Sequence, residues 1–190
     1  MHAVLLSAVV IFVAELGDKS QLMALAFSAR YRAMPVLIGI TIATALVHAV
    51  SVVTGAVLGA RLPTDAISIA GGVAFLGFGA WTLRGDKLDE ADEARARRPA
   101  RSAIVAVTGA FFLAELGDKT MLATITLATQ EGPLGVWIGS TIGMVAADAL
   151  AIVAGRMLGT RLPERTIRIG AAVCFFGFGL VLLADGIRGL

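Results

Sequence analysis

Long apolar runs alternate with short polar breaks along this chain. Six runs reach or approach the roughly 20 apolar residues that a helix needs to cross a bilayer. The predicted membrane-spanning helices are 3–28, 35–59, 65–84, 103–128, 134–159 and 166–184. Proline lies at or just before four of the helix starts, where its missing N–H costs least. The pattern predicts an all-α integral membrane protein.

Composition indicates a bilayer rather than a large soluble core. Of the 190 residues, 57% are hydrophobic and 16% are charged, whereas soluble domains have about 45–50% and about 25%. The N-terminal segment lacks the basic region of a secretory signal, so we expect its apolar run to remain as the first span. No segment interleaves basic and aromatic residues, so the expected partner is the lipid bilayer and not a nucleic acid.

A shift of 100 residues aligns the two halves of the chain without a gap. Residues 12–20 read F-V-A-E-L-G-D-K-S, and residues 112–120 read F-L-A-E-L-G-D-K-T, which indicates a duplication. Each half holds three predicted helices, so the second half must enter the membrane from the opposite side. We therefore expect two inverted repeats, 1–84 and 102–190, joined by the linker 85–101.

Basic residues are distributed unequally between the two sides of the predicted bundle. One side holds only Arg61 and Arg188. The loops after the first, third and fifth helices contain twelve: Arg30, Arg32, Arg84, Lys87, Arg95, Arg97, Arg98, Arg101, Arg156, Arg161, Arg165 and Arg168. The positive-inside rule then predicts a cytoplasmic linker and both termini outside. The linker is polar, and no fixed structure is predicted for it.

Each half places the motif E-L-G-D-K near the middle of its first helix. On a continuous helix, Glu15, Asp18 and Lys19 would share one face, and so would their equivalents 100 residues later. A charge at the bilayer centre costs about 2.5–3.5 kcal/mol on insertion scales. Six such charges in a small protein indicate a function. The alternative is that each Glu only neutralises the Lys of its own motif, which would leave both Asp residues unpaired.

An inverted pair of motif helices would bring four carboxylates to one central cavity. These candidate metal ligands are Glu15, Asp18, Glu115 and Asp118, and carboxylate oxygens are the ligands that Mn²⁺ and Ca²⁺ prefer. Together with the two motif lysines they sum to −2, so one divalent cation or two protons would neutralise the site. Competition for the same oxygens is the physical requirement for antiport. No permanently bound cofactor is expected, because the metal would be the transported substrate.

Residues beside the motifs are candidates for supporting roles. Glycine there could let a helix unwind and offer backbone carbonyls, or it could only allow close packing. Ser, Thr and Gln would add neutral oxygens, although hydroxyls in membrane helices often bond to their own backbone. The motif-support set is Gly17, Lys19, Ser20, Gln21, Gly117, Lys119 and Thr120. The G-x-x-x-G segments 55–59 and 155–159 predict a packing face.

His48 and Asp148 are a second pair at the 100-residue offset, and both lie inside apolar runs. An ionisable residue in such a run is a functional candidate by default, and a His and an Asp at equivalent places could relay protons. The alternative is an interhelical hydrogen bond that only aids packing. The pair is therefore a candidate proton relay.

The doubled motif resembles the signature of a small membrane family of cation/proton exchangers with Golgi, chloroplast and bacterial members. That signature is two copies of E-x-G-D-[KR]-[ST], one in each three-helix half, and residues 15–20 and 115–120 match it without departure. The resemblance covers essentially the whole chain. It implies exchange of Mn²⁺ or Ca²⁺ for protons, with bacterial members looking like manganese exporters. The short chain without a leader or long N-terminal extension looks like a bacterial member in the plasma membrane.

Two other function classes stay open at this point. A passive divalent-cation channel would share the acidic residues, but it needs a continuous or oligomeric pore. A membrane-embedded, metal-dependent lipid-phosphate hydrolase would use Ser20 or Thr120 as nucleophile. The chain has no H-E-x-x-H, no G-x-S-x-G and no arginine cluster beside the motifs, so we expect a protein that is not an enzyme. The residues do not separate Mn²⁺ from Ca²⁺, and a homo-oligomer remains one option.

Overall fold

The computed structural model describes residues 1–84, 90–97, 102–158 and 164–189, and all regular structure in these ranges is helical. The helices are α1 (His2–Glu15), α2 (Lys19–Ser28), α3 (Ala33–Gly59), α4 (Thr64–Arg84), α5 (Glu90–Arg97), α6 (Ala103–Glu115), α7 (Lys119–Gln130), α8 (Pro133–Leu158) and α9 (Glu164–Arg188). Within these ranges α3, α4, α8 and α9 are long and apolar enough to cross a membrane. The prediction of an all-α, multi-pass membrane protein is confirmed.

Two of the predicted spans are divided into shorter helices. The span predicted at 3–28 consists of α1 and α2, and the span predicted at 103–128 consists of α6 and α7. The expectation of a continuous helix in these two spans was wrong. The first helix of each span ends because a glycine near the middle of the span has a left-handed backbone.

Part of the predicted linker forms a helix. Residues 90–97 make up α5, which packs against α2 and α6. Ala96 is buried there in a cluster that includes Phe27 and Phe111. The linker residues 85–89 and 98–101 lie outside the described ranges. So do Gly159 of the second glycine segment and four residues of the basic set, Lys87, Arg98, Arg101 and Arg161.

Helices of each half pack against helices of the other half. Helices α1 and α2 pack on α8, and their equivalents α6 and α7 pack on α3. Helix α3 also packs on α8, and α4 packs on α9. Equivalent residues meet at both of these last contacts: Thr44 Oγ1 donates to Met144 Sδ at 3.3 Å, and the ring centroids of Phe75 and Phe175 are 5.8 Å apart. Each half therefore completes its core with helices of the other.

The glycine segment at 55–59 is a packing face, as predicted. A Cβ on Gly59 would lie 2.5 Å from the carbonyl oxygen of Thr129, and one on Gly55 would lie 2.7 Å from Ala128 Cβ. Helices α3 and α7 thus approach too closely for a side chain at these positions. In the second half, a Cβ on Gly155 would overlap Leu25 Cδ2 of α2.

Large apolar side chains are exposed on the outside of the bundle. Leu5 is 69% exposed, Val105 72% and Val181 59%, and they come from three different helices. Soluble monomers rarely expose contiguous apolar surface on this scale, whereas lipid tails solvate it. The carboxylates of both motifs are buried instead, together with Lys119, so acidic side chains lie inside the bundle and large apolar side chains lie outside it.

Candidate cation site at the helix breaks

Each E-L-G-D-K motif lies where one helix ends and the next begins. Glu15 is the last residue of α1, Leu16 is extended with ψ of 118°, and Gly17 has a φ of 76°. Asp18 then caps α2, and its side chain accepts the Ser20 N–H at 3.4 Å. The second motif adopts the same conformation. Only glycine adopts such a left-handed backbone at little cost, so the glycine determines where the helix breaks.

The break changes which residues of a motif lie together. Glu15 belongs to the end of α1, whereas Asp18 and Lys19 belong to the start of α2. The prediction that they share one face of a continuous helix was therefore wrong, and the prediction that glycine unwinds the helix is confirmed. Close packing does not explain Gly117, because a Cβ there would meet no atom of the described residues within 4 Å, whereas a Cβ on Gly17 would lie 3.1 Å from Arg168 Cγ.

Three of the four predicted carboxylate ligands meet inside the bundle. One oxygen each of Glu15, Asp18 and Glu115 lies within 4.8 Å of the other two, and all three side chains are buried. Oxygens this close together could hold one metal ion, since Ca²⁺ binds oxygen ligands at about 2.3–2.6 Å. Asp118 is also buried, but it is not part of this group.

The motif lysines pair across the two halves. Lys119 Nζ forms a salt bridge with Asp18 Oδ1, and both side chains are buried. Lys19 Nζ lies 3.8 Å from Asp118 Oδ1. The alternative that each Lys neutralises the Glu of its own motif is therefore wrong. Sequence spacing carries no signal for this crossed pairing, because it depends on how the two halves pack.

The glutamates have fewer partners than the aspartates. Within the described residues, neither oxygen of Glu15 has a hydrogen-bond partner, and Glu115 Oε1 has none either. Thr120 Oγ1 donates to Glu115 Oε2 at 3.2 Å, and Ser20 Oγ donates to Asp18 Oδ2 at 3.4 Å. A buried carboxylate without donors is unfavourable unless it binds a cation or a proton. Three of the four glutamate oxygens therefore have no donor among the described residues and could bind an ion.

Gln21 holds the first helix break in place. Its Oε1 accepts the Gly17 N–H at 2.9 Å, and its Nε2 donates to the carbonyl oxygen of Ala147 on α8 at 3.1 Å. Gln21 thus contacts the backbone of the first motif and the backbone of α8. At the second break, Met121 Sδ accepts the Gly117 N–H at 3.2 Å.

The second pair of ionisable residues is buried in α3 and α8. Asp148 lies within electrostatic range of Glu15, Asp18 and Glu115, and among the described residues neither of its oxygens has a hydrogen-bond partner. His48 Nδ1 also has none there. The alternative of a hydrogen bond that only aids packing is therefore not observed for the Asp148 carboxylate or for His48 Nδ1. Asp148 is therefore a buried carboxylate without a hydrogen-bond partner among the described residues, and it lies outside the group of three acids described above.

Buried carboxylates inside a bundle of membrane helices define an ion-transport protein, since such groups mark ion pathways. The chain matches the family model described as "Divalent cation/proton antiporter GDT1" over residues 3–90 and 103–189. The chain belongs to the GDT1 family. No solved structure matches the chain significantly.

Relatives of the chain occur in bacteria and in plants. A Vibrio cholerae protein named "Putative manganese exporter" is 34% identical over 88% of this chain and 84% of its own length. A GDT1-like protein of Synechocystis is 31% identical over 90% of this chain and 91% of its own length. The chloroplast protein PAM71 of Arabidopsis thaliana is 31% identical over 92% of this chain and 55% of its own length.

Family membership settles the class of function. The resemblance read from the doubled motif is confirmed, because the family model covers both halves of the chain. The chain is a transmembrane cation transporter and not an enzyme. The lipid-phosphate hydrolase considered above is thereby excluded.

Proposed function

We propose that the chain exchanges a divalent metal cation for protons and exports the metal from the cytoplasm. The observation that carries this proposal is the group of three buried carboxylates within reach of one ion. The four motif acids and two lysines leave a charge of −2, which one divalent cation or two protons neutralise. Mn²⁺ is the proposed substrate ahead of Ca²⁺, because the Vibrio cholerae relative is named for manganese.

Glu15, Asp18 and Glu115 bind the cation in this proposal, and Asp118 joins them when Lys19 releases it. The carbonyl ends of α1 and α6 carry partial negative charge beside the two glutamates. A cation between these helix ends is therefore stabilised by side chains and backbone together, as in other transporters with broken helices. Protons compete for the same carboxylate oxygens, which couples the two fluxes.

Asp148 and His48 are the proposed proton relay. Asp148 adjoins the carboxylates electrostatically and has no donor among the described residues, so it can accept a proton that a cation displaces. For His48 the support is its burial in α3, the helix that packs against α8. Protons would thus leave the site along the contact between the two halves.

The proposed bundle has six membrane-spanning segments in two inverted three-helix repeats, 1–84 and 102–190. The pairs α1–α2 and α6–α7 each form one broken span. Helices α1 and α2 contain 14 and 10 residues, which is about 36 Å of helix at 1.5 Å per residue and enough for a hydrocarbon core of about 30 Å. Helices α1 and α2 pack on α8 in the same way that α6 and α7 pack on α3. These matching contacts support a twofold relation between the two halves.

The proposed location is a bacterial plasma membrane, with the 85–101 linker in the cytoplasm and both termini outside. Its support is the unequal distribution of basic residues, twelve in the loops on one side and two on the other. Export of the metal would then run from the side on which α5 lies to the side of the termini.

Transport in proteoliposomes tests the proposal. We expect Mn²⁺ flux, followed with an enclosed metal indicator, to rise when a pH gradient is imposed. Glu15→Gln should reduce this flux to background, whereas the matched control Glu131→Gln removes an acid outside the site that pairs with His2 and should leave it unchanged. Wild-type flux in Glu15→Gln would refute the carboxylate site, and flux that ignores the gradient would indicate a channel.

A further inference from the structure

The first half-helix of each broken span packs on a long helix of the other half, α1 on α8 and α6 on α3. The glycines of α8 that face α1 are Gly135, Gly139 and Gly143. A Cβ on either of the last two would overlap a carbonyl oxygen of α1, that of Val4 or Ala8. The equivalent positions of α3 are Pro35, Gly39 and Ala43. Because small residues let membrane helices approach closely, α1 is held over more of its length than α6.

The two helix breaks are also anchored differently. Gln21 accepts the Gly17 N–H at 2.9 Å and donates to the Ala147 carbonyl oxygen of α8 at 3.1 Å. Its equivalent in the second half is Met121, whose sulfur accepts the Gly117 N–H at 3.2 Å. A thioether is a weak acceptor and has no hydrogen to donate, so Met121 cannot bond to a carbonyl oxygen of the facing helix as Gln21 does.

The carbonyl groups that face the two breaks match this difference. Val47 of α3 is equivalent to Ala147 of α8, and its carbonyl oxygen accepts Ser51 Oγ at 2.9 Å. The residue of α8 equivalent to Ser51 is Ala151, which has no hydroxyl. The Ala147 carbonyl thus receives a side-chain donor from Gln21 of another helix, whereas the Val47 carbonyl receives one from its own helix.

Among the described residues, neighbouring side chains cover the first break and leave the second one open. A Cβ on Gly17 would lie 3.1 Å from Arg168 Cγ and 3.5 Å from Ile167 Cγ2 of α9, whereas one on Gly117 would meet none of these residues within 4 Å. Leu116 beside the second glycine is 44% exposed. The second break therefore has more room to change its conformation.

We propose that Gln21 is a positioning residue that keeps the first break fixed on α8, and that the second break is the one that moves as the cation binds and leaves. Glu15 and Asp18 flank the first break, so they form the pre-arranged part of the proposed cation site, and Glu115 at the end of α6 completes it. Ligands that are already in place bind an ion at a lower ordering cost. This inference rests on the proposed function, because it divides the proposed site into a fixed and a moving part.

Replacing the anchor tests the fixed part. Gln21→Met gives the first break the residue found at the second, and we expect apparent Mn²⁺ affinity to weaken roughly two- to tenfold, the effect of one net hydrogen bond. The maximal transport rate should stay near the wild-type value, whereas a merely structural defect would lower the rate through loss of folded protein and leave affinity unchanged. Calorimetry with MnCl₂ in detergent gives the affinity, and proteoliposome flux gives the rate. The matched control Gln130→Met changes a glutamine that bonds to Ser68 and should leave both values unchanged.

The reciprocal change tests the moving part. Met121→Gln combined with Ser51→Ala supplies a donor at the second break and frees the Val47 carbonyl oxygen to accept it. We expect the maximal rate to fall roughly two- to tenfold, because one additional hydrogen bond must then break in each cycle, while Mn²⁺ affinity is retained. Ser51→Ala alone is the matched control and should keep the wild-type rate.

Wild-type affinity in Gln21→Met, or a wild-type rate in the reciprocal variant, would overturn the inference. If a variant does not fold, deuterium uptake by the wild type decides. MnCl₂ should change the uptake of peptides that span Gly117 more than that of peptides that span Gly17, and equal changes would overturn the inference. A wild type that binds Mn²⁺ without gradient-driven flux would refute the exchange mechanism, whereas the affinity of Gln21→Met would still test the role of Gln21.

Discussion

The acids of the site fall into two kinds with separate tasks. Asp18 and Asp118 cap the second half-helices and pair with lysines of the opposite motif. A short side chain suits this position, because its oxygen reaches back to a backbone N–H at the helix start. Glu15 and Glu115 end the first half-helices and extend toward each other with few donors. The aspartates thus fix the starts of the second half-helices, and the glutamates carry oxygens without donors among the described residues. In the proposed site Asp18 binds the cation together with both glutamates.

The buried salt bridge between Lys119 and Asp18 can be tested by removing one or both charges. Lys119→Gln should lower the free energy of unfolding by about 3–5 kcal/mol, because Asp18 then loses its buried ammonium partner. Adding Asp18→Asn should recover much of this loss. Chemical unfolding in detergent gives both values. Lys19→Gln is the matched control, and its smaller expected loss follows from the partly exposed bridge it breaks.

Equal stability of Lys119→Gln and the wild type would contradict the crossed pairing. A double variant no more stable than Lys119→Gln would do the same, because it would show that the destabilisation does not come from an isolated Asp18 charge.

At the level of helices, the break in each motif span is what creates the site. On a continuous helix, the Glu, Asp and Lys of a motif would lie along one face, and the backbone N–H and C=O groups would hydrogen-bond to each other within the helix. The break instead separates the carbonyl end of one half-helix from the N–H end of the next by only three residues, for example between Glu15 and Lys19. Helix ends carry opposite partial charges, so the first favours cations and the second favours the capping aspartate.

Replacement by alanine should have opposite effects on stability at two glycines of the second half. Gly117 has a left-handed backbone, whereas Gly109 lies in a regular helix. Gly117→Ala should destabilise the protein by about 1–2 kcal/mol through its φ of 80° alone, because open space surrounds its Cβ position. Gly109→Ala in α6 also has open space for its Cβ, but it lies in a regular helix and should stabilise by about 0.5–1 kcal/mol. Unfolding midpoints of the two variants in detergent compare them directly. Changes of the same sign would contradict a break imposed by backbone conformation.

The apolar pattern predicts the uninterrupted helices closely, because hydropathy determines which segments lie in lipid. It predicts α3, α4, α8 and α9 within a few residues. It leaves a break at Gly17 and Gly117 as one of two alternatives, because a glycine inside an apolar run also fits close packing. The duplicated motif predicts four acids at one site, and three of them lie close together in the described residues. The crossed lysines and the packing of α5 arise from contacts between distant segments that sequence spacing does not encode.

For the molecule as a whole, each half lacks a complete site. The Glu15 and Asp18 carboxylates of the first motif meet Glu115 of the second, and each motif lysine pairs with the opposite half. Movement of one half against the other would therefore change the distances among the ligands. Such rocking around a site at the repeat interface is how inverted-repeat transporters alternate access.

Membrane topology offers a test of the inverted arrangement. In a Cys174→Ser background, which removes the single native cysteine, Glu90→Cys and Arg188→Cys place thiols at exposed positions of α5 and the C-terminal end of α9. An impermeant maleimide added to intact cells should label Arg188→Cys, and Glu90→Cys only after lysis. Labelling of both from the same side would contradict the proposed odd number of spans, three, between a cytoplasmic linker and an outer C-terminus.

The central claim is that metal and protons share the carboxylates of the two motifs, and the pH dependence of metal binding tests it most directly. Calorimetry with MnCl₂ in detergent between about pH 6 and pH 8 should show affinity falling as pH falls. One displaced proton would weaken binding about tenfold per pH unit and two would weaken it up to about a hundredfold, one unit being about 1.36 kcal/mol per proton. Glu131→Gln should follow the wild type. A nearly flat affinity over this range would contradict exchange at the site.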